Sequence, residues 1–397
     1  MFKKRAFLPL FITNYLGVLN DNFLKTLACF ICIAWVGAEH ESRIVTIASA
    51  ALVIPYLLFS PLAGRFAMIF RKRKVVVWAK FAELFIILFA CLGFLFHSTA
   101  MVLMSILLMG TQSALFSPSK YGLIRDVGGE EGISYGSGAM EMFAFTGILT
   151  GTLMASFLSE SVTIPVICGL LLCIAVLGWL SSLTIRAEES EPLERGGDTL
   201  NPVRFVKEMH VRAVAFRGLS RIILGLAVFW MIGAIVQMTL IVYCRGELKM
   251  SDLQTGMVMS LAAIGIGAGC YLAGLLSGDR VKLRWVPLGG AATGIIFLLL
   301  FFTRATGLLF ALFIFLATCC SGFYKVPLDS WIQANVKGRE LGDMLAYSNL
   351  ITFLFMLFAS AFFWLIETFL FTRFVFLFLG VLILITTYLL ANLQKRT

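Results

Sequence analysis

The amino-acid sequence predicts an all-α polytopic membrane protein: twelve transmembrane helices arranged as two pseudo-symmetric six-helix bundles. Composition comes first. Across 397 residues, 60% are apolar and only 14% are charged, with a mean hydropathy of +0.94. A soluble chain of this length would need far more charge to cover its surface, and a β-barrel would show short alternating segments. Second, apolar runs near the ~20 residues a bilayer requires recur along the whole chain. Third, landmarks in the first half reappear in the second at a nearly constant offset.

The runs fall at about 7–35, 44–64, 75–96, 100–119, 133–158, 162–185, 219–243, 253–277, 285–303, 307–329, 343–367 and 370–392. The first begins "MFKKRAFLPLF". That start is basic like a signal peptide, but the stretch is too long and no A-x-A-like site follows, so it reads as an uncleaved first helix. The second run ends at Gly64 before the basic loop Arg71–Lys74, and the third opens on Lys80 and Glu83. The fourth ends in "SPSKYGLIRD", where Pro118 removes a backbone donor. The fifth contains "GSGAMEMFAFTG", whose Gly136, Gly138 and Gly147 allow close helix approach. The seventh carries Gln237, and the tenth ends in "GFYKVPLD".

Lysine and arginine set the orientation. With a cytoplasmic N-terminus, 24 of the 32 fall on inside segments and five on outside segments. This bias predicts that both termini are cytoplasmic. The net charge of +10 is therefore topological and does not indicate nucleic-acid binding. Nine cysteines include Cys29 and Cys32 as a CxxC and the adjacent pair Cys319–Cys320. Apolar or Thr flanks and the absence of a nearby His make them small packing residues rather than redox or metal groups.

The longest hydrophilic stretch divides the chain into an N-terminal bundle (1–186), a cytoplasmic linker (187–217) and a C-terminal bundle (218–397). In the linker, Asn201 is a candidate N-cap and Pro202 suits the first helical position; Val203, Val206, Met209 and Ala213 then share a face. Either a basic amphipathic helix on the cytoplasmic leaflet or a solvated linker fits this stretch. The halves echo each other. Gly64 before the first basic loop matches Gly274 before the second, at an offset of 210, and Pro118 matches Pro327 at 209. Such duplication is the pattern of many secondary transporters.

Polar residues inside the spans are the candidate site. A charge at the bilayer centre costs at least about 2.5–3.5 kcal/mol on insertion scales, so these residues must face a cavity or a partner. In span one, "LNDNFLK" supplies Asp21, Asn22 and Lys25; Asp21 and Lys25 are spaced to pair, and Asn14 shares their face. A plain structural ion pair would also account for them. Lys80 and Glu83 suit either a site or a local salt bridge near the cytoplasmic interface. Lys120 and Tyr121 follow Pro118, where Lys120 is a phosphate partner or a positive-inside anchor. Glu141 lies deep in span five. Gln237 sits at a height resembling Asp21 in the other half, and Lys325 is the counterpart of the region around Lys120.

The basic loops resemble those of the major facilitator superfamily, whose loop after span two runs roughly G-x-x-x-D-R-x-G-R-K/R. The first copy keeps Gly64 and the run beginning at Arg71, with Met68 where the acid belongs; the second has Gly274, Asp279 and Arg280. The resemblance implies gating roles for Gly64, Arg71, Asp279 and Arg280. More narrowly, four stretches look like the bacterial lysophospholipid transporter family. They are Asp21–Asn22, the block Ser117–Pro118–Lys120–Tyr121–Gly122, Gly138–Met140–Glu141, and Gly322–Val326–Pro327–Leu328. That family usually has an Arg in span seven where Gln237 stands, so Lys25 or Lys80 would replace it here.

The family resemblance implies an inner-membrane secondary transporter. It would move lysophospholipids such as lysophosphatidylethanolamine from outer to inner leaflet by alternating access, admitting lipid laterally for re-acylation. Membrane lipids and an acyltransferase/acyl-ACP synthetase would be its partners. No cofactor, metal or nucleic acid is expected, and the chain would act as a monomer. A long acyl tail keeps the molecule in the membrane at ~0.8 kcal/mol per CH₂, so only the headgroup needs shelter. A proton-coupled carrier of a small polar or drug-like solute, using Asp21 or Glu141 as the proton site, is the alternative. An enzyme is not expected. None of His40, His97 and His210 has an Asp five residues later, and no G-x4-G-K-[ST] occurs.

Overall fold

The computed structural model describes residues 6–37, 41–189, 202–250, 252–278, 280–336 and 340–394. The described residues form helices joined by short connections. In order the helices are α1 (Leu8–Val36), α2 (Glu41–Ile69), α3 (Lys72–Leu95), α4 (Thr99–Ser161), α5 (Ile164–Leu183), α6 (Pro202–Ala215), α7 (Leu219–Gly246), α8 (Asp252–Ser277), α9 (Trp285–Thr303), α10 (Gly307–Asn335), α11 (Glu340–Phe369) and α12 (Phe374–Gln394). Eleven are long and apolar enough to cross a membrane. The helix α4 has 63 residues and would be about 95 Å long if straight, three times a hydrocarbon core. It bends at Gly129, whose φ of +66° is one an L side chain rarely adopts. So α4 is the fourth and fifth expected spans in one piece, and among the described residues the eleven helices account for the twelve expected spans.

Local chemistry sets the ends. The Ser98 hydroxyl accepts the backbone N–H of Met101 at 3.4 Å and caps α4. Gly37 closes α1 with φ +105°. Pro202 opens α6 as expected; the Asn201 cap lies outside the described residues. The expected face of α6 is corrected in one respect. Met209 and Ala213 are buried, but Val203 is 77% exposed. Its position on the helix is turned well away from the Met209–Ala213 line, so packing excludes it.

Backbone proximity groups the chain into two compact units. One comprises residues up to Gly129, Thr146–Met209 and the start of α11 through Tyr347; the other comprises Glu130–Phe145, His210–Val336 and the chain from Ser348 onward. Within the first, α1 and α3 both pack on α5. Within the second, α7 and α9 both pack on α12. First with sixth and third with sixth therefore recur as seventh with twelfth and ninth with twelfth.

Close crossings in each unit rely on glycine. In the second unit, α8 meets α10 at Gly265 and Gly269. A Cβ on Gly269 would overlap the Cys319 carbonyl, and one on Gly322 would overlap the backbone of Gly269 and Cys270. This is a small-xxx-small contact, with Cys270 and Cys319 as packing residues beside it. The two loop glycines also mark crossings. A Cβ on Gly274 would come 2.7 Å from the Ser134 carbonyl, and one on Gly64 would come 2.6 Å from Asp343 Oδ1.

Gly269→Val is expected to lower the thermal unfolding temperature of the detergent-purified protein, by an overpacking cost of about 1–3 kcal/mol or more. Gly233→Ala, where no atom lies within 4 Å, should leave it unchanged. Equal unfolding temperatures for the two variants would refute the tight α8–α10 crossing.

Candidate functional site

The polar residues of span one do not act as one cluster. Asn20, on the buried side of α1, donates through Nδ2 to Glu83 Oε1 at 2.9 Å. Lys80 Nζ donates to the other oxygen of Glu83 at 2.5 Å. Lys80 and Glu83 are both fully buried. Gly17 makes room for them, since a Cβ there would stand 2.5 Å from Lys80 Nζ. The Lys80–Glu83 spacing thus forms a buried pair satisfied across three helices, because Gln112 on α4 donates to the Ala79 carbonyl of the same turn at 3.0 Å.

Asp21 takes a different partner from the one its spacing suggests. It does not pair with Lys25 among the described residues; its Oδ2 accepts from the Ser113 hydroxyl of α4 at 2.9 Å. Its Oδ1 is buried without a hydrogen-bond partner among the described residues. The charged groups acting on Asp21 are Glu83, Lys80 and Lys120. A neutral hydroxyl on a facing helix reaches the carboxylate, whereas Lys25 lies a turn further along α1, with Cys29 as its ionisable neighbour. Asn22 turns back to donate to the Val18 carbonyl at 2.8 Å.

Lys120 is buried at the end of span four, its ammonium 4.8 Å from the Phe116 ring centroid and 5.1 Å from that of Tyr121. The aromatic faces compensate part of its desolvation. The first unit therefore gathers Asp21, Lys80, Glu83 and Lys120 into one electrostatic neighbourhood, with Tyr121 beside it. Lys25 stands apart from the Asp21 carboxylate.

In the second unit, Lys325 is buried on α10 and donates to Glu141 Oε1 at 2.8 Å and to Asp329 Oδ2 at 2.6 Å. Glu141 comes from the Glu130–Phe145 segment of α4, which belongs to this unit. Lys325 also lies over Trp230, 5.4 Å from its ring centroid, and 5.9 Å from that of Phe229. Gln237 is exposed on α7, on the face that carries Trp230 and Gly233. Asp329 went unnoticed in the sequence, although it stands four residues after Lys325 and so on the same helix face.

At the start of α3, in the first unit, Arg71 sits just before the helix and is exposed. The pairing belongs instead to Lys72, which donates to Asp126 at 2.6 Å and packs its chain on Gly122. Arg73 donates its guanidinium to the Leu183 carbonyl at 2.9 Å and its backbone N–H to Glu189 at 3.2 Å. Burial pushes the Glu189 carboxyl above the usual carboxylate range. Arg280 is exposed, and Asp279 lies outside the described residues.

This arrangement has known relatives. The Major Facilitator Superfamily profile matches residues 6–361. The chain belongs to the major facilitator superfamily. It is a multi-pass membrane transporter of that superfamily. It is 25% identical over 308 residues to the lysophospholipid transporter LplT of Yersinia enterocolitica, covering 76% of this chain and 72% of the relative. It is 24% identical over 354 residues to LplT of Citrobacter koseri, covering 87% and 84%. Among solved structures it is similar to the human organic anion transporter MFSD10, with TM-score 0.80 and 16% identity over 98% of this chain and 99% of the other. A bacterial homologue of the iron transporter ferroportin in an outward-facing state gives TM-score 0.73 at 15% identity, over 98% and 99%. At such identities the structural likeness concerns the fold alone.

Glu83→Ala leaves a buried ammonium unpaired and is expected to cost ~3–5 kcal/mol of stability, whereas Lys80→Met with Glu83→Leu together should recover most of it. Thermal melts of the purified variants measure both. A double variant no more stable than Glu83→Ala would show that the pair has a role beyond charge compensation.

Proposed function

We propose that the chain is a lysophospholipid transporter of the bacterial inner membrane with both termini cytoplasmic. It moves lipids such as lysophosphatidylethanolamine from the outer to the inner leaflet for re-acylation. The observation that carries this reading is the similarity to relatives named lysophospholipid transporter over 72% and 84% of their lengths. The chemistry agrees with it. A headgroup crossing the low-dielectric core needs an acid for an amine and cations or amides for a phosphate. Asp21, with one buried oxygen lacking a hydrogen-bond partner among the described residues, and Lys120, flanked by aromatic rings, supply that pair of functions in one unit. Asn22, Lys25, Tyr121, Lys80 and Glu83 are the further candidates in that unit, and Glu141, Lys325 and Gln237 are the candidates in the other.

In this reading the duplicated sequence halves 1–186 and 218–397, joined by 187–217, work by alternating access, and the chain acts as a monomer. Gly64, Arg71, Asp279 and Arg280 act at the gates. The acyl tail stays in lipid throughout, so the protein admits the molecule laterally. An acyltransferase/acyl-ACP synthetase consumes the product.

Spheroplasts lacking their own lysolipid transporter are expected to take up labelled lysophosphatidylethanolamine when they express this chain. Asp21→Asn and Lys120→Ala should each lower the rate about tenfold or more, the value of one charge-assisted contact. Absence of uptake by the folded wild-type protein would leave the proton-coupled carrier of a small polar solute as the better reading.

A further inference from the structure

Asp21 of α1 is reached from α2 as well as from α4. Gly110 lets α4 close on α2, since a Cβ there would stand 2.8 Å from the Leu52 carbonyl and 3.0 Å from that of Ala51. One turn further along each helix, Ser113 and Tyr56 come together. Pro55 in α2 donates no backbone hydrogen to the Ala51 carbonyl, and Ser60 donates its hydroxyl to the Tyr56 carbonyl. The Tyr56 hydroxyl is hydrogen-bonded to that of Ser113 and lies within reach of the Asp21 charge. Ser113 in turn donates to Asp21 Oδ2 at 2.9 Å, and Oδ1 has no hydrogen-bond partner among the described residues.

A serine hydroxyl carries one hydrogen, and that of Ser113 has two acceptors. Besides Asp21, Gln112 Oε1 stands 3.1 Å from Ser113 Oγ, and Gln112 is tied in place because its Nε2 donates to the Ala79 carbonyl at 3.0 Å. A phenol hydrogen donated to Ser113 Oγ polarises the serine hydroxyl, and the polarised hydrogen goes to the stronger acceptor, the carboxylate. We propose that Tyr56 is a positioning residue for Asp21: its hydroxyl orients Ser113 so that Oδ2 is engaged and Oδ1 is presented to the headgroup amine. The inference rests on the reading of Asp21 as the amine site and names the residue that sets its geometry. Without the phenol hydrogen, Ser113 divides its own between Asp21 and Gln112, and the carboxylate loses its fixed orientation. A headgroup ending in glycerol carries no amine, so its uptake does not depend on that orientation.

The test compares uptake of lysophosphatidylethanolamine and lysophosphatidylglycerol by spheroplasts expressing wild type, Tyr56→Phe, Asp21→Asn or the double variant. Tyr56→Phe keeps the ring and is expected to lower kcat/KM for the ethanolamine lipid about fivefold, chiefly through KM, the worth of one neutral hydrogen bond. Uptake of the glycerol lipid should be unchanged. In the Asp21→Asn background the same substitution should have no further effect, because the carboxylate it serves is gone. A purely structural role of Tyr56 would lower the rate in both backgrounds alike, and that result overturns the inference. Wild-type kinetics in Tyr56→Phe beside an impaired Asp21→Asn also overturns it; both results leave the lysophospholipid reading intact. Asp21→Asn with undiminished uptake removes the amine site and this inference with it. Wild type that moves neither lipid removes the lysophospholipid reading as well.

Discussion

A charge inside hydrocarbon must have a partner, and this constraint organises both units. Lys80 and Lys325 are fully buried in helices that cross the membrane, and each is compensated at short range. The compensations differ. Lys80 has one carboxylate, itself steadied by Asn20, so the group is closed and neutral. Lys325 shares two carboxylates, one of them partly open. A closed neutral pair suits holding helices together, whereas the second group leaves one carboxylate partly accessible. The same reasoning separates Asp21, which among the described residues is bonded to a hydroxyl through one oxygen and leaves the other unsatisfied, from Glu83, whose two oxygens are both engaged.

Bringing these groups together requires backbones to come closer than ordinary side chains permit. Glycine supplies the room at Gly17 beside Lys80, at Gly269 and Gly322 where α8 crosses α10, and at Gly138 and Gly274 where α4 meets α8. The Gly138 crossing lies within a turn of Glu141, so it also brings that carboxylate to Lys325. Packing and electrostatics are thus one feature here. A larger residue at these crossings would separate the charges as well as the helices.

The loop before α3 shows how a basic run is used. The structure distinguishes among its members. Lys72 turns inward to Asp126 and Arg73 caps the end of α5 through the Leu183 carbonyl, while Arg71 stays exposed. Arg71 is the extended residue before the helix, and within α3 the rotation from Lys72 to Arg73 sends the two to different partners. The resemblance of the loop to its family pattern directs attention to the run but does not distinguish its members.

The sequence by itself determined the class of the molecule. Twelve apolar runs, the lysine and arginine bias and the repeated landmarks follow from the bilayer's thickness and polarity, which act on local stretches of chain. It also made visible the residues Asp21, Lys80, Glu83, Lys120, Glu141 and Lys325, because a charge in a span is conspicuous wherever it occurs. Only the tertiary structure decided their partners. Asp21 chose Ser113, 92 positions away, over Lys25 four positions on, and Glu141 met Lys325 across 184 positions. Spacing along one helix lists the groups that can face the same way. Which of them meet depends on the neighbouring helix and on how closely glycine lets it approach.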